Sequence, residues 1–367
     1  MLKNIYFHIG TAKTATTLIQ KALWDNREIL KQFDTTYLDI APPKLEWGRY
    51  ANIEFLIDPN INISTENLRH YLNNLGTSNL IISEEGLWTN SLENINHPAF
   101  ENYNKIIILY VRRPAEIIAS WASEVSKPYN ELQKLHAFEG GLLPIDKGLI
   151  RLTEYYIQIF DRLFSFTEKN ALPKIIVRPF ENSQLKNNNI FCDFIETLQI
   201  DSDQFFKSKG IRLPESENAG KSRKYCDISS HTLQILKAEK LRNKFDTNLV
   251  DYIYENCESG DNRSVLETLS DECIIDISEK LQYIEDEISR RFLSGKKLFN
   301  TRLPPIYKKK RDPHKKINPE EVEKLLYKYL WIQSEDSILK ITKRTKDRKK
   351  KILNRKLRGI TRFLRGK

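Results

Sequence analysis

Residues 105–111, KIIILYV, constrain this chain more than any other segment. Successive side chains of a strand point to opposite faces, so a run that is apolar throughout, rather than at every second position, has both faces covered. Seven residues also fall short of a stable helix. The run therefore reads as a central parallel strand between two layers of helices. Pro114 follows at the start of a helical stretch reaching about residue 125, where a missing first-turn N–H costs nothing.

The same strand, turn, helix order opens the chain. Residues 4–9 are a short run with aromatic and β-branched residues, Gly10 and a Thr-rich turn follow, and Leu18, Ala22 and Leu23 recur at helical spacing. A helix over 65–75, a strand over 79–83, a helix over 148–168, a strand over 174–177 and a helix over 188–198 continue the alternation. This predicts an α/β fold, a central parallel sheet flanked by helices with right-handed crossovers. Residues 33–62, with Pro42, Pro43, Gly48 and Pro59, read as an irregular connection or lid, and 201–226 as a polar, partly basic loop. Helical patterns at 229–255 and 271–292 precede Leu303-Pro304-Pro305, which places a boundary near 300. We expect one domain over 1–300 and a basic helical extension over 301–367.

The formal charge of +10 resembles a nucleic-acid signal until it is located. Residues 340–367 hold fourteen Lys or Arg against one acid, Asp347, so the rest of the chain is slightly acidic. Within that tail Leu353, Leu357, Ile360 and Leu364 recur at helical spacing. A basic amphipathic helix suits an anionic membrane surface or a polyanionic glycan, the plain alternative being a solubilising extension. Nucleic acid is not the expected partner, because Phe363 is the only aromatic residue there for bases to stack on. No secretory-type apolar segment opens the sequence and no run reaches the roughly 18 apolar residues of a membrane span. The expected location is cytoplasmic, with the tail able to sit peripherally on the inner face of the membrane. Four widely spaced cysteines without a CxxC pair predict reduced thiols and no metal.

Two segments carry the chemistry. HIGTAKTATTLIQ, residues 8–20, puts Gly10, Thr11, Lys13, Thr14, Ala15, Thr16 and Thr17 at a strand-to-helix joint. Free N–H groups and about half a positive charge at the helix start make such a joint an anion site. The ATPase pattern G-x-x-x-x-G-K-[ST] is not met, since the loop's one lysine stands three residues after Gly10. VRRPAEIIASWASE then places Arg112 at the end of the strongest strand and Ser120 eight residues on. Ligands of open α/β sheets bind at the carboxyl ends of strands, and a guanidinium fork suits a phosphate. Glu84 and Glu85 end the strand at 79–83 and are candidate bases; His8, His97 and His136 are alternatives. Lys13 is placed to neutralise a leaving oxygen, by analogy with phosphoryl transfer.

These segments resemble the PAPS-dependent sulfotransferases, in particular bacterial members acting on carbohydrates. That family's 5′-phosphosulfate loop has a Pro-Lys-[ST]-Gly-Thr-[ST] core after a strand; here Ala12 and Ala15 replace the proline and glycine. Its 3′-phosphate clamp is an Arg and a Ser eight positions apart, matching Arg112 and Ser120. A Ser-x-Glu at the third segment matches Ser83 and Glu85, which favours Glu85 over Glu84 as base. The late basic loop of the family resembles ENAGKSRKY, where Arg223 and Lys224 would cover the 3′-phosphate. The resemblance implies a P-loop-like fold, PAPS (3′-phosphoadenosine 5′-phosphosulfate) as co-substrate without a metal, and a hydroxyl or amine acceptor on a carbohydrate or glycolipid. The alternatives are a nucleotide-dependent kinase, or a polyanion-binding protein whose site has decayed, for which Ala15 is the main argument.

Overall fold

The computed structural model describes residues 3–11, 13–38, 64–90, 92–125, 145–169, 173–213, 223–241, 246–300 and 315–333. In chain order they form β1 (Lys3–His8), α1 (Thr16–Asp25), α2 (Arg27–Gln32), β2 (Thr35–Tyr37), α3 (Thr65–Asn73), β3 (Asn79–Ser83), α4 (Glu85–Asn90) and β4 (Tyr103–Val111). Then come α5 (Pro114–Val125), α6 (Ile145–Lys169), β5 (Lys174–Pro179), α7 (Ile190–Thr197), α8 (Ser202–Lys207) and α9 (Arg223–Ala238). α10 (Thr247–Asn256), α11 (Val265–Thr268), α12 (Asp271–Lys280), α13 (Gln282–Phe292) and a helix over 319–333, here α14, complete the set.

The strands make one parallel sheet in the order β2-β3-β1-β4-β5. Its two faces follow the alternation of side chains along the central strands. Ile5, Phe7 and Ile9 face one core with Ile107 and Leu109, covered by α3, α5, α6, α12 and α13. Tyr6, Ile106, Ile108 and Tyr110 face the other, covered by α1, α2, α7 and Phe205 of α8. The α/β expectation is met, and the unbroken apolar run of β4 is buried on both sides as its composition required.

This strand order fixes where a ligand can sit. From β1 the chain leaves toward the β2 edge, and from its neighbour β4 toward the β5 edge. Adjacent strands whose connections diverge open a crevice at their carboxyl ends. Residues 8–11 and 13–16 after β1, and 111–114 after β4, stand at that end.

Several expectations are corrected. β2, an edge strand of three residues, lies in the segment expected to be irregular; residues 39–62 of that segment are outside the described residues. The loop expected over 201–226 contains α8, whose N-cap Asp201 accepts from Gln204 N–H at 3.0 Å and whose Phe205 is fully buried. The helical pattern at 229–255 is two helices. Lys240 takes a positive φ of 58°, and Asp246 caps α10 by accepting from Leu249 N–H at 2.8 Å. The pattern at 271–292 is also divided, at Leu281 (φ −96°, ψ 1°).

α14 packs Val322 and Leu326 against Tyr225, Ile228, Leu249 and Ile253 of α9 and α10 in a third apolar cluster. Asn318 caps it, accepting from Glu320 N–H at 3.1 Å, with Pro319 in the first turn. The basic segment 340–367 lies outside the described residues. Among the described residues no helix is long and apolar enough to cross a membrane.

Candidate active site

Gly10 follows β1 with φ +57°, a left-handed conformation natural to glycine. A methyl group built there would stand 2.5 Å from Thr16 Cγ2 and 3.6 Å from Glu85 Cγ. The loop thus folds back tightly on the start of α1, and the Glu85 side chain packs over its glycine. Lys13 and Ala15 are also left-handed, at φ 68° and 60°.

Three tethers hold this shape. Ile9 N–H bonds Ile108 C=O at 3.2 Å. Thr11 Oγ1 donates to Tyr110 C=O at 2.9 Å, and Thr14 Oγ1 donates to Thr11 C=O at 2.6 Å. Both hydroxyls are fully buried, and each spends its single proton inside the protein. Thr11 and Thr14 therefore shape the loop, Thr16 is nearly buried, and Thr17 is exposed at the helix start. Ala15 is the N-cap of α1 and supplies no side-chain acceptor; Ile19 N–H, bonded to Ala15 C=O at 3.0 Å, is the first to close a helical turn. A helix start of this kind presents its leading N–H groups outward.

Ala15 holds the backbone where a glycine would be unstrained, at a cost of about 1–2 kcal/mol. Glycine would relieve that strain but lose more freedom on folding, a penalty of about 0.4–1 kcal/mol. Ala15→Gly is therefore expected to leave stability unchanged or raise it by up to about 1.6 kcal/mol. Ala15→Val, β-branched at positive φ, is expected to lose at least about 2 kcal/mol. Urea midpoints of the two variants check the pair.

Arg112 meets the loop directly: its Nη1 donates to Lys13 C=O at 3.4 Å, across 99 positions of sequence. Its Nε donates to Glu116 at 3.2 Å, and its guanidinium lies 5.6 Å from the Phe180 ring centre. Arg113 differs. It is buried against Glu116 at 3.1 Å and paired with Glu181, so it belongs to the scaffold. Along α5 the residues from Ala115 to Ser123 are buried except Glu116 and Ser120, one turn apart. Arg112, Glu116 and Ser120 thus form a single solvent-reached stripe leading from the loop. Glu116 and Phe180 were not among the expected site residues. The i, i+4 spacing of Glu116 from Arg112 and to Ser120 is the signal that identifies Glu116; nothing local identifies Phe180.

The two candidate bases diverge. Glu84 turns onto its own chain, Oε1 accepting from Gly86 N–H at 2.9 Å, whereas Glu85 faces Gly10. His8 is buried, its Nδ1 2.7 Å from Ser83 Oγ, and burial lowers its pKa to about 3. His97 precedes β4 and so sits at the opposite, amino end of the sheet, its Nδ1 accepting from Ala99 N–H. His136 and Ala12 lie outside the described residues. Arg223 pairs with Asp227 at 3.0 Å, and Lys224 is buried with its ammonium at the Cys257 carbonyl and 4.9 Å from the Tyr254 ring centre. Among the described residues no group of three or more His, Cys, Asp or Glu could hold a metal ion.

No protein-family sequence model matches this chain, and no curated protein does. Among solved structures, a sulfotransferase from Alicyclobacillus acidocaldarius matches with 11% identity and a TM-score of 0.35, over 68% of this chain and 100% of that one.

Proposed function

We propose that this protein is a sulfotransferase that binds PAPS in the β1–β4 crevice. The observation that carries the reading is the Arg112 to Lys13 bond, which joins the strand-to-helix loop and the strand-end arginine into one anion-binding surface. A donor with phosphate groups on both the 3′ and the 5′ oxygen of one ribose needs two such elements side by side.

In this reading the first N–H groups of α1 and the Lys13 ammonium hold the 5′-phosphosulfate, while Arg112 and Ser120 hold the 3′-phosphate. The absence of a side chain at Gly10 lets Thr16, at the start of α1, pack against the loop. The acceptor's hydroxyl or amine attacks sulfur as the bridging bond between sulfur and the phosphate oxygen breaks. Lys13 neutralises the charge developing on that oxygen, and Glu85 takes the acceptor's proton. Adenosine 3′,5′-bisphosphate and the sulfated acceptor are the products. Arg223 and Lys224 are tied to Asp227 and to the Cys257 carbonyl, so a part for them at the nucleotide requires those ties to be exchanged. A carbohydrate or glycolipid acceptor is proposed on the sequence resemblance.

Calorimetric titration with adenosine 3′,5′-bisphosphate tests the reading, with ATP as the control. We expect roughly micromolar binding that prefers the bisphosphate. Arg112→Ala should weaken it about 10- to 100-fold, the value of lost charge-assisted hydrogen bonds. Preference for ATP would point to a kinase, and the absence of any nucleotide binding to a decayed site.

A further inference from the structure

We infer that Glu116 is a positioning residue that aims the Arg112 guanidinium at the 3′-phosphate; the inference rests on the proposed nucleotide reading and deepens it. Two consecutive arginines leave β4 and part company, Arg113 into the scaffold and Arg112 to the loop after β1. One carboxylate grips both. Glu116 Oε1 accepts from Arg113 Nη1 at 3.1 Å, and Oε2 accepts from Arg112 Nε at 3.2 Å. Spacings of three and four residues bring both arginines within reach of the acid. Arg113 is buried and also paired with Glu181, which accepts from Gln184 Nε2 at 2.6 Å, so the Glu116 carboxylate is itself held from its inner side.

A carboxylate beside a phosphate site weakens binding by repulsion unless its charge is matched. Here Glu181, Arg113, Glu116 and Arg112 alternate in sign, so the acids are matched one for one and Lys13 adds the positive charge of the loop. What Glu116 contributes toward an anion is therefore direction. With Nε on Glu116, Nη1 on Lys13 C=O and the Phe180 ring centre 5.6 Å from the guanidinium, Arg112 is restrained on three sides. Two of the guanidinium's N–H groups are spent in this way, and Nη2 has no partner among the described residues. N–H groups on both Nη atoms thus remain for phosphate oxygens. Without the hold of Glu116 the ligand itself would have to order this long side chain, at a cost of about 3- to 10-fold in affinity.

The test is calorimetric titration of the full chain with adenosine 3′,5′-bisphosphate and with AMP, which lacks the 3′-phosphate. Glu116→Asp keeps the charge but is one methylene too short to bridge both arginines. It should lower the preference for the bisphosphate over AMP about 3- to 10-fold, while AMP binding stays near the parent's. Placed in an Arg112→Ala chain, where there is no guanidinium to aim, the same substitution should lower the preference no further. The ratio of the two affinities serves even in a variant that folds poorly, because both ligands meet the same folded fraction. A parent without preference for the bisphosphate would sink the nucleotide reading and this inference with it. A parent that prefers it would overturn the inference alone if the preference is unchanged in Glu116→Asp, or if Glu116→Asp reduces it equally in the Arg112→Ala chain. Preference raised in Glu116→Gln and intact in Glu116→Asp would likewise overturn it, by showing that the carboxylate acts only as a charge.

Discussion

Asp193→Ala is expected to lower the unfolding free energy by about 3–5 kcal/mol, the cost of leaving one member of a buried ion pair without its partner. Asp193 is 2% exposed and accepts from four directions. Tyr110 OH donates to Oδ2 at 2.8 Å, Arg178 donates to both oxygens at 3.0 and 2.5 Å, and Lys186 N–H donates to Oδ1 at 3.0 Å. Its removal strands a phenol inside the core and a guanidinium at its edge. Burial, then the Asp193 carboxylate, holds the Tyr110 phenol well above its ordinary pKa, and hydrogen bonding to Asp193 raises Arg178. Because the Arg178 side chain keeps 35% of its exposure, water compensates part of its loss and the lower end of the range is favoured.

Tyr110→Phe removes one hydrogen bond while Arg178 keeps its partner, and should cost about 1 kcal/mol. Urea unfolding of both variants measures the contrast; a cost below about 1 kcal/mol for Asp193→Ala would show the pair to be effectively solvated. The network also bears on the site. The Tyr110 carbonyl receives Thr11 of the loop after β1, so its phenol and carbonyl link α7 to that loop through β4. Nucleotide affinity should fall in Asp193→Ala and stay near the parent's in Tyr110→Phe.

The parts of this fold legible in the sequence are those whose signal is local. β4 announces itself by an apolar run, α5 by Pro114, and the crevice by the two strand ends that carry Gly10 and Arg112. What escaped depends on contacts between distant positions. β2 has three residues, too few to show a period, and is defined by pairing with β3. The division at Leu281 interrupts no apolar periodicity, because Leu281 is itself buried where a continuous helix would bury it. The Thr-rich loop suggests a row of phosphate donors, yet Thr11 and Thr14 give their protons to carbonyls of the protein. Spacing within a loop cannot reveal that, since Tyr110 lies 99 positions away.

His8 shows how such a distant contact becomes a measurable property. Burial lowers its pKa from about 6.5 to about 3, so the folded protein holds it neutral. The ring meets Ser83 Oγ at 2.7 Å, Phe194 and Tyr110 approach it edge-on, and Nε2 has no partner among the described residues. An imidazolium there would bring a second N–H with nowhere to donate. Between pH 6.5 and 3 the unfolded chain therefore binds a proton that the folded chain does not, and stability falls as pH falls.

Each pH unit in that window carries about 1.4 kcal/mol, or roughly 4–5 kcal/mol over the whole of it. Carboxylates contribute in the same direction only at the acid end, where the folded Glu287, held at about 2 by Arg290 and Arg291, stays ionised while unfolded glutamates protonate. The range from pH 6.5 to 5 is thus the one that isolates histidine. His97 and His231 are also lowered by burial and share the slope, so the decisive comparison is with His8→Asn, which keeps a polar partner for Ser83. The parent should lose about 2 kcal/mol more than this variant from pH 6.5 to 5 in urea unfolding. Identical curves would mean that His8 charges freely in the folded protein, opening the end of β1 to water beneath the loop that follows it, and the base proposed at Glu85 would then have a rival.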